Sequence, residues 1–170
     1  MEEVYAVELH EVGLTIEKQE LLKNISVNFN YGKIYGIIGR NGSGKTLLFK
    51  CISGFIIPTH GKIDVIGEQI GKDTDFSGHM GVIIETPGFI PHYSAYQNLK
   101  ILANISGGAT KERIVECIHL VGLDEKDHKP VKKYSLGMRQ RLGLAQAILE
   151  DPQVLVLDEP MNGLDKQGVE

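Results

Sequence analysis

The sequence predicts an α/β fold in which a helical segment interrupts the core, and three observations predict it. Short apolar runs typical of strands recur through the first 85 residues and return near residue 155. A glycine-rich turn lies between one of these runs and a stretch with helical periodicity. From about residue 86 to residue 150 the apolar residues recur only at helical spacing. This order favours an α/β core with a helical subdomain.

The N-terminal part is predicted to be mainly strands. Residues 5–12 and 25–30 alternate apolar and polar side chains, as in a half-exposed antiparallel sheet. Residues 32–39, "GKIYGIIG", are predicted to be a short buried strand that enters the glycine-rich turn. Residues 46–53 then carry one apolar helical face, which Gly54 ends. Two further strands are expected, at residues 61–67 and 80–85.

Three helices and one strand are predicted for the remainder. Residues 94–106 and 110–123 have helical periodicity and are separated by "GGA". Residues 137–149 carry one apolar stripe, and Pro152 prevents the helix from continuing. "VLVLDE", residues 154–159, reads as a fully buried strand that ends in two acids. The apolar stripe of the helix predicted at residues 137–149 consists of Met138, Leu142, Ala145, Ile148 and Leu149.

Composition excludes several classes of protein. The 170 residues carry a net charge of -4, which argues against a dominant electrostatic attraction to nucleic acid or anionic lipid. The N-terminus does not resemble a secretion signal, and no apolar run approaches the roughly 20 residues that span a bilayer. Cys51 and Cys117 lie far apart in apolar surroundings, so we predict buried, inert thiols and a cytoplasmic location.

A phosphate-binding loop is the most specific motif of the sequence. "GRNGSGKT" matches the loop pattern at every fixed position, after a predicted strand and before a predicted helix. Its glycines let successive backbone N–H groups face a phosphate, and the helix adds its positive end. Lys45 is expected to reach the β- and γ-phosphates, and the Thr46 hydroxyl to ligate Mg²⁺. The loop consists of Gly39, Arg40, Asn41, Gly42, Ser43, Gly44, Lys45 and Thr46.

Two adjacent carboxylates supply the partner motif. Asp158 follows the predicted strand directly and is expected to hold Mg²⁺, either by itself or through water. Glu159 can orient or deprotonate an attacking water and is therefore the candidate catalytic base. Many buried strands end in polar residues, so the two acids alone are weak evidence for a site. Together with the phosphate-binding loop upstream, they predict a nucleotide site.

A third motif carries a resemblance to a known family. "YSLGMRQR", residues 134–141, lies between the loop and the acidic strand, and "MNGLD", residues 161–165, follows Glu159. In order and spacing, these motifs resemble those of the ATP-binding cassette (ABC) ATPases over essentially the whole chain. The resemblance implies a P-loop NTPase fold with a mixed sheet core, an N-terminal antiparallel β subdomain and a helical subdomain. It divides the chain into a core lobe at 1–85, a helical subdomain at 86–150 and an acidic strand with its loop at 151–170.

The resemblance also implies a dimer that sandwiches two ATP molecules with Mg²⁺. Ser135 and Gly137 stand in the family's signature and would contact the γ-phosphate held by a second subunit, identical or different. Asp165 stands in the loop that contacts the partner. The simpler interpretation of Ser135 is that it only caps the helix that follows.

The sequence departs from the family pattern at four places. Leu136 and Met138 replace a glycine and a glutamine of the signature, and Glu85 stands where a glutamine normally reaches toward Mg²⁺. We expect Glu85 to ligate the metal directly or through water. Ile16 stands where an aromatic residue usually stacks on adenine, with Leu14 beside it, which predicts weak discrimination between bases.

Three functions are compatible with these motifs. The first is the ATP-binding subunit of an ABC transporter, peripheral to the membrane through a separate permease and driving export. "IETPGF" together with "YSLGM" resembles bacitracin-type and lantibiotic-immunity exporters. The permease would dock on the segment after Glu85, where Phe89, Tyr93 and Tyr96 suit an interface and suit the core of the helical subdomain equally.

The second function is a soluble ABC protein that acts on ribosomes or DNA, although the chain shows one cassette and no heptads. The third is a chain that binds ATP with little turnover. The resemblance implies a helix, a strand and a switch histidine after residue 165, whereas the last histidine is His128. We therefore expect a C-terminally truncated cassette that binds ATP but turns it over slowly.

Overall fold

A four-stranded sheet forms most of the first part of the chain. A computed structural model describes residues 4–85 and 87–162, and these divide into two units between Met80 and Gly81. The sheet has the order β2-β1-β3-β4 and is antiparallel throughout. Its strands are β1 (Tyr5–Ile16), β2 (Gln19–Asn30), β3 (His60–Val65) and β4 (Glu68–Gln69).

Apolar side chains of β1, β2 and β3 form the buried part of this sheet. Leu9 lies opposite Val27 of β2 and Ile63 of β3, and Leu9 and Ile63 are completely enclosed. Helix α1 (Lys45–Ile52) adds its apolar face, Leu48, Cys51 and Ile52, to the buried set. The predicted antiparallel β subdomain and the helix after the glycine-rich turn are both confirmed.

The predicted buried strand at residues 32–39 is wrong. Residues 33–40 do not form a strand, and no strand of the described residues pairs with them. Ile34 and Ile38 are 102% and 97% exposed, so the apolar run has no cover. An apolar run shows only that a segment is suited to burial. Burial itself requires a neighbouring strand or helix on each face.

Three helices pack together in the second unit. They are α2 (Ala95–Ser106), α3 (Lys111–Leu120) and α4 (Leu136–Ala147), and a 3₁₀ turn, Val131–Lys133, precedes α4. A capping box between Ser94 and Gln97 begins α2, and Thr110 caps α3. The predicted stripe of α4 faces the core. The core consists of Ala95, Leu99, Ala103, Ile114, Cys117, Ile118, Val131, Tyr134, Leu142, Ala145 and Leu149.

Two short strands lie beside these helices. Strand β5 (Met80–Ile83) pairs with β6 (Val154–Leu157), and the two form a sheet of their own among the described residues. The predicted complete burial of β6 is wrong: Val156 is buried, but Leu155 is 46% exposed. The reason is the same as for residues 32–39, since β5 covers only one edge of β6 in the part of the chain that the structure describes.

A few further predictions concern the whole chain. Cys51 and Cys117 are both buried free thiols, as predicted. None of the helices in the described ranges is long and apolar enough to cross a bilayer. The boundaries that we predicted at residues 85/86 and 150/151 stay predictions.

Candidate functional site

The phosphate-binding loop of the first unit is organised around Lys45. Its ammonium group donates hydrogen bonds to the carbonyls of Gly39 and Arg40, at 2.9 and 3.2 Å. The Ser43 N–H donates to the Arg40 carbonyl at 3.1 Å and closes a turn. The Lys45 side chain therefore lies across the loop. An anion bound by the loop would be close to its positive charge.

Helix α1 begins in a way that leaves its first turn suited to an anion. Gly44 is the N-terminal cap with φ 90°, a left-handed conformation that glycine adopts without strain. A Cβ at this position would lie 2.9 Å from Cδ2 of Leu22, so the residue must also be small. No side chain caps the helix, and its first turn carries no acid. The N–H groups and the positive end of α1 thus face the loop.

Three acidic residues of the second unit follow the β5–β6 pair. The Asp158 N–H donates to the Ile83 carbonyl at 2.8 Å, so the carboxyl ends of the two strands lie side by side. Glu85 follows β5 and Glu159 follows β6, each two residues after the last residue of its strand. Asp158 is nearly buried, whereas Glu85 and Glu159 are exposed. This placement suits Asp158 to a fixed ligand and Glu159 to reaction with water.

Asn162, which the sequence did not single out, contacts the candidate base Glu159. Its side-chain amide donates to a carboxylate oxygen of Glu159, and its backbone N–H donates to the Glu159 carbonyl at 3.1 Å. Pro160 in the stretch "EPMN" was the available signal, because proline favours the second position of a tight turn. Such a turn brings residue 162 back to residue 159.

The signature region begins helix α4. Ser135 caps the helix, and its hydroxyl oxygen accepts a hydrogen bond from the Met138 N–H at 3.1 Å. Ser135 and Leu136 are exposed, and Gly137 is half-buried in the first turn. Ser135 therefore caps α4. Because the cap uses the hydroxyl oxygen as an acceptor, the Ser135 O–H can still donate to an anion. Asp165, the predicted contact of a second subunit, lies outside the described residues.

The proposed base-side residue lies at a hairpin. Ile16 ends β1 beside the turn to β2 and is 43% exposed, whereas its neighbour Leu14 is buried in the sheet core. Only Ile16 of the two can offer an apolar surface to a nucleotide base.

The segment after Glu85 is fastened to the helical core by a buried asparagine. Asn98 of α2 accepts from the Ile90 N–H at 2.8 Å and donates to the carbonyls of Ser94 and Ile90, at 3.0 and 3.3 Å. Phe89 and Tyr96 pack against the helical core, but Ile90 and Tyr93 are 42% and 41% exposed. The aromatic residues of this segment therefore divide between core and surface.

Each unit carries an oxygen donor of the kind that a nucleotide-bound magnesium ion takes. No group of three His, Cys, Asp or Glu side chains that could hold a metal occurs in residues 4–85 and 87–162. Mg²⁺ bound with phosphates takes most of its ligands from phosphate and water and needs only one or two protein oxygens. The Thr46 hydroxyl and the Asp158 carboxylate are oxygen donors of the required kind.

Fold and loop together define a class, the P-loop NTPases with an α/β core. Comparison with known proteins narrows this class, because the family model described as "ABC transporter" matches residues 22–162. The chain therefore belongs to the ABC transporter family, and ATP hydrolysis is a property of its ATPases. The predicted family and fold class are confirmed.

The relatives include proteins of known and unknown transport role. The chain is 47% identical to the uncharacterized ABC transporter ATP-binding protein YybJ of Bacillus subtilis, over 96% of this chain and 75% of YybJ. It is 39% identical to the bacitracin transport ATP-binding protein BcrA of Enterococcus faecalis, over 97% of this chain and 54% of BcrA. It is also 39% identical to the lantibiotic transport ATP-binding protein SrtF of Streptococcus pyogenes, over 90% and 66%.

Solved structures share the fold. The dimeric structure of MJ0796, a bacterial ABC transporter cassette, superposes with a TM-score of 0.83 at 23% identity, over 96% of this chain and 78% of that one. CbiO1 from Clostridium perfringens, part of the ABC transporter complex cbiONQ, gives 0.79 at 27% identity, over 98% and 70%. The chain thus spans between about half and three quarters of the proteins it resembles.

Proposed function

We propose that the chain is the ATP-binding subunit of an ABC transporter, and that it couples ATP binding and hydrolysis to export by a separate permease. The observation that carries the proposal is the loop at residues 39–46, where Lys45 bridges the loop and α1 begins without a side-chain cap. In this proposal the loop N–H groups surround the β- and γ-phosphates, and Lys45 exchanges its carbonyl partners for phosphate oxygens.

In this proposal the Thr46 hydroxyl and the Asp158 carboxylate would hold the magnesium ion of the bound nucleotide, and Glu85 would be a further ligand, direct or through water. When bound, Mg²⁺ neutralises charge on the β- and γ-phosphates. The near burial of Asp158 supports its part, because a buried carboxylate holds one orientation. Glu85 follows the neighbouring strand at the same sheet edge, which supports its assignment to the same ion.

Hydrolysis depends on Glu159. A water molecule attacks the γ-phosphorus while its proton passes to the Glu159 carboxylate, the bond to the bridging oxygen breaks, and ADP leaves as phosphate forms. Lys45 stabilises the charge on the transferred group, and the exposed position of Glu159 leaves it open to water.

The second catalytic surface comes from a second subunit, identical or different. Ser135 and Gly137 contact the γ-phosphate bound by the partner, and Asp165 contacts the partner's loop. The dimeric assembly of MJ0796 and the Ser135 hydroxyl at the start of α4 support this arrangement. Leu136, 53% exposed, would lie in the contact where the family has glycine.

A membrane permease is the proposed further partner, and it places the chain at the cytoplasmic face of the membrane. The names of BcrA and SrtF, which state bacitracin transport and lantibiotic transport, support export of a compound of this kind. Ile90 and Tyr93, both exposed in the segment after Glu85, would supply an apolar docking surface. Purification with a membrane protein supports this partner, and purification with ribosomes or DNA contradicts it.

Titration with a fluorescent ATP analogue tests the proposal. Wild type is expected to bind in the micromolar range, and Lys45→Ala to bind on the order of 100-fold more weakly because a charge-assisted contact to phosphate is lost. Lys50→Ala removes another lysine of the same helix. It is the matched control and is expected to bind ATP like wild type. Equal binding by Lys45→Ala and Lys50→Ala would contradict the proposed loop.

A further inference from the structure

Asn162 contacts Glu159 through both its backbone and its side chain. The backbone N–H donates to the Glu159 carbonyl at 3.1 Å and closes a four-residue turn with Pro160 at its second position. The side-chain Nδ2 donates separately to Oε2 of the Glu159 carboxylate. Since the backbone bond already closes the turn, the side-chain bond serves the carboxylate rather than the turn.

A contact of this kind would restrict the orientation of the Glu159 carboxylate. Glu159 is exposed, and its φ of 48° lies in the left-handed region that non-glycine residues rarely adopt. An exposed glutamate without a partner samples several rotamers, and each of them aims the carboxylate differently. A general base works only when its oxygen lies within hydrogen-bond reach of the proton it accepts.

We propose that Asn162 is a positioning residue for ATP hydrolysis, which holds Oε2 of Glu159 so that Oε1 faces the attacking water. The inference rests on the proposed role of Glu159 as the base. The proton of the water passes to Oε1, and Asn162 donates a hydrogen bond throughout without giving up a proton. A bond from an amide to a carboxylate is charge-assisted, and therefore stronger than a neutral one.

The expected contribution is one of orientation. Misplacement of a reacting group by about 1 Å can cost on the order of 100-fold in rate. Loss of one hydrogen bond to a base that keeps its backbone turn is a smaller disturbance, so we expect a loss of roughly tenfold in the single-turnover rate. The Kd for ATP should stay within about twofold, because Asn162 acts on water through Glu159 and not on the nucleotide.

Asn162→Asp is the discriminating variant. Aspartate matches asparagine in size and keeps the backbone N–H of the turn, but as a carboxylate it cannot donate to Glu159 and repels it. Asn162→Ser keeps a donor on a shorter side chain. With radiolabelled ATP in single turnover, we expect wild type to be fastest, Asn162→Ser intermediate and Asn162→Asp at least tenfold slower, all with similar Kd. If Asn162→Asp hydrolysed ATP as fast as wild type, the side-chain contact would have no catalytic role.

Nuclear magnetic resonance tests the contact without relying on turnover. In the ¹⁵N-labelled chain, Glu159→Gln is expected to move the Asn162 side-chain N–H resonances, while Glu112→Gln on α3 leaves them in place. Asn162 resonances that are identical in wild type and Glu159→Gln would overturn the proposal. A wild-type chain that neither bound nor hydrolysed ATP would instead contradict the proposed function, and the resonances would still decide the contact.

Discussion

The backbone N–H of Asp158 donates to the carbonyl of Ile83 at 2.8 Å, and this bond joins the ends of β5 and β6. Two residues beyond each strand lies a glutamate with a left-handed backbone, Glu85 at φ 63° and Glu159 at φ 48°. Such a conformation costs a non-glycine residue about 1 kcal/mol. Left-handed residues at two matched positions show that the chain changes direction in the same way after each of the two strands.

Glu85 is predicted to tune the magnesium requirement. Glu85→Gln replaces a charged oxygen ligand with a neutral amide, so the Mg²⁺ concentration for half-maximal hydrolysis should rise severalfold. The measurement is a Mg²⁺ titration of phosphate release at fixed ATP. Glu112→Gln removes a carboxylate from α3 and serves as the control. An unchanged Mg²⁺ requirement in Glu85→Gln would remove Glu85 from the metal site.

Ile16 is predicted to give weak discrimination between nucleotide bases. An isoleucine offers an apolar surface without π-stacking, so unlabelled ATP and GTP should displace a fluorescent ATP analogue at concentrations within about fivefold of each other. Ile16→Tyr adds an aromatic face, and base–aromatic stacking of about 1–3 kcal/mol should tighten ATP binding by at least fivefold. ATP binding far tighter than GTP in wild type would require another base contact.

Asn98 is predicted to hold the segment after Glu85 in place. The residue is 4% exposed, and Asn98→Ala would leave the Ile90 N–H without its acceptor, at a cost of about 1–3 kcal/mol in the free energy of unfolding. Urea unfolding followed by circular dichroism measures the change. Asn104→Ala removes an exposed asparagine from the same helix and should change stability by less than about 0.5 kcal/mol. Equal effects of the two substitutions would show that the Asn98 bonds contribute little.

Cys51 is predicted to be unreactive in the folded chain. Burial raises the pKa of its thiol from 9.0 to about 11, and burial also raises the pKa of Cys117. At pH 8 neither thiol of the native chain should react with a disulfide reagent, and both should react in urea. Rapid labelling of the native chain would contradict the buried placement.

The same pKa shift predicts a loss of stability at alkaline pH. Between pH 9 and about 11 the Cys51 thiol ionises in the unfolded chain while it stays protonated in the folded one. The free energy of unfolding should therefore fall over this range, and should be unaffected by this thiol below pH 9. Cys51→Ala should show a shallower decline, and identical declines would exclude the thiol as a cause.

The helical part of the fold could be predicted from sequence because its signals are local. Ser94, Thr110 and Ser135 each cap a helix that follows them, and the stripe of α4 faces the core. A cap and an apolar stripe each depend only on residues that are near one another in the sequence. The sequence therefore predicts all three helices and the buried face of α4.

The burial of residues 32–39 and of β6 could not be predicted, because burial of a strand depends on neighbours far away in sequence. Ile38 and Leu155 are apolar in either case, and only the fold determines what covers them. Within the site, the loop and the acidic pair were found from spacing. Asn162 was missed because its role comes from a turn that returns its side chain to Glu159.

The most direct test of the account is single-turnover hydrolysis of radiolabelled ATP by wild type and by Glu159→Gln, with nucleotide binding measured on the same samples. We predict that Glu159→Gln binds ATP with a Kd within about twofold of wild type but hydrolyses it at least 100-fold more slowly, as expected when a general base is removed. Equal hydrolysis rates in the two chains, with equal binding, would contradict the assignment of Glu159 and of the site built around it.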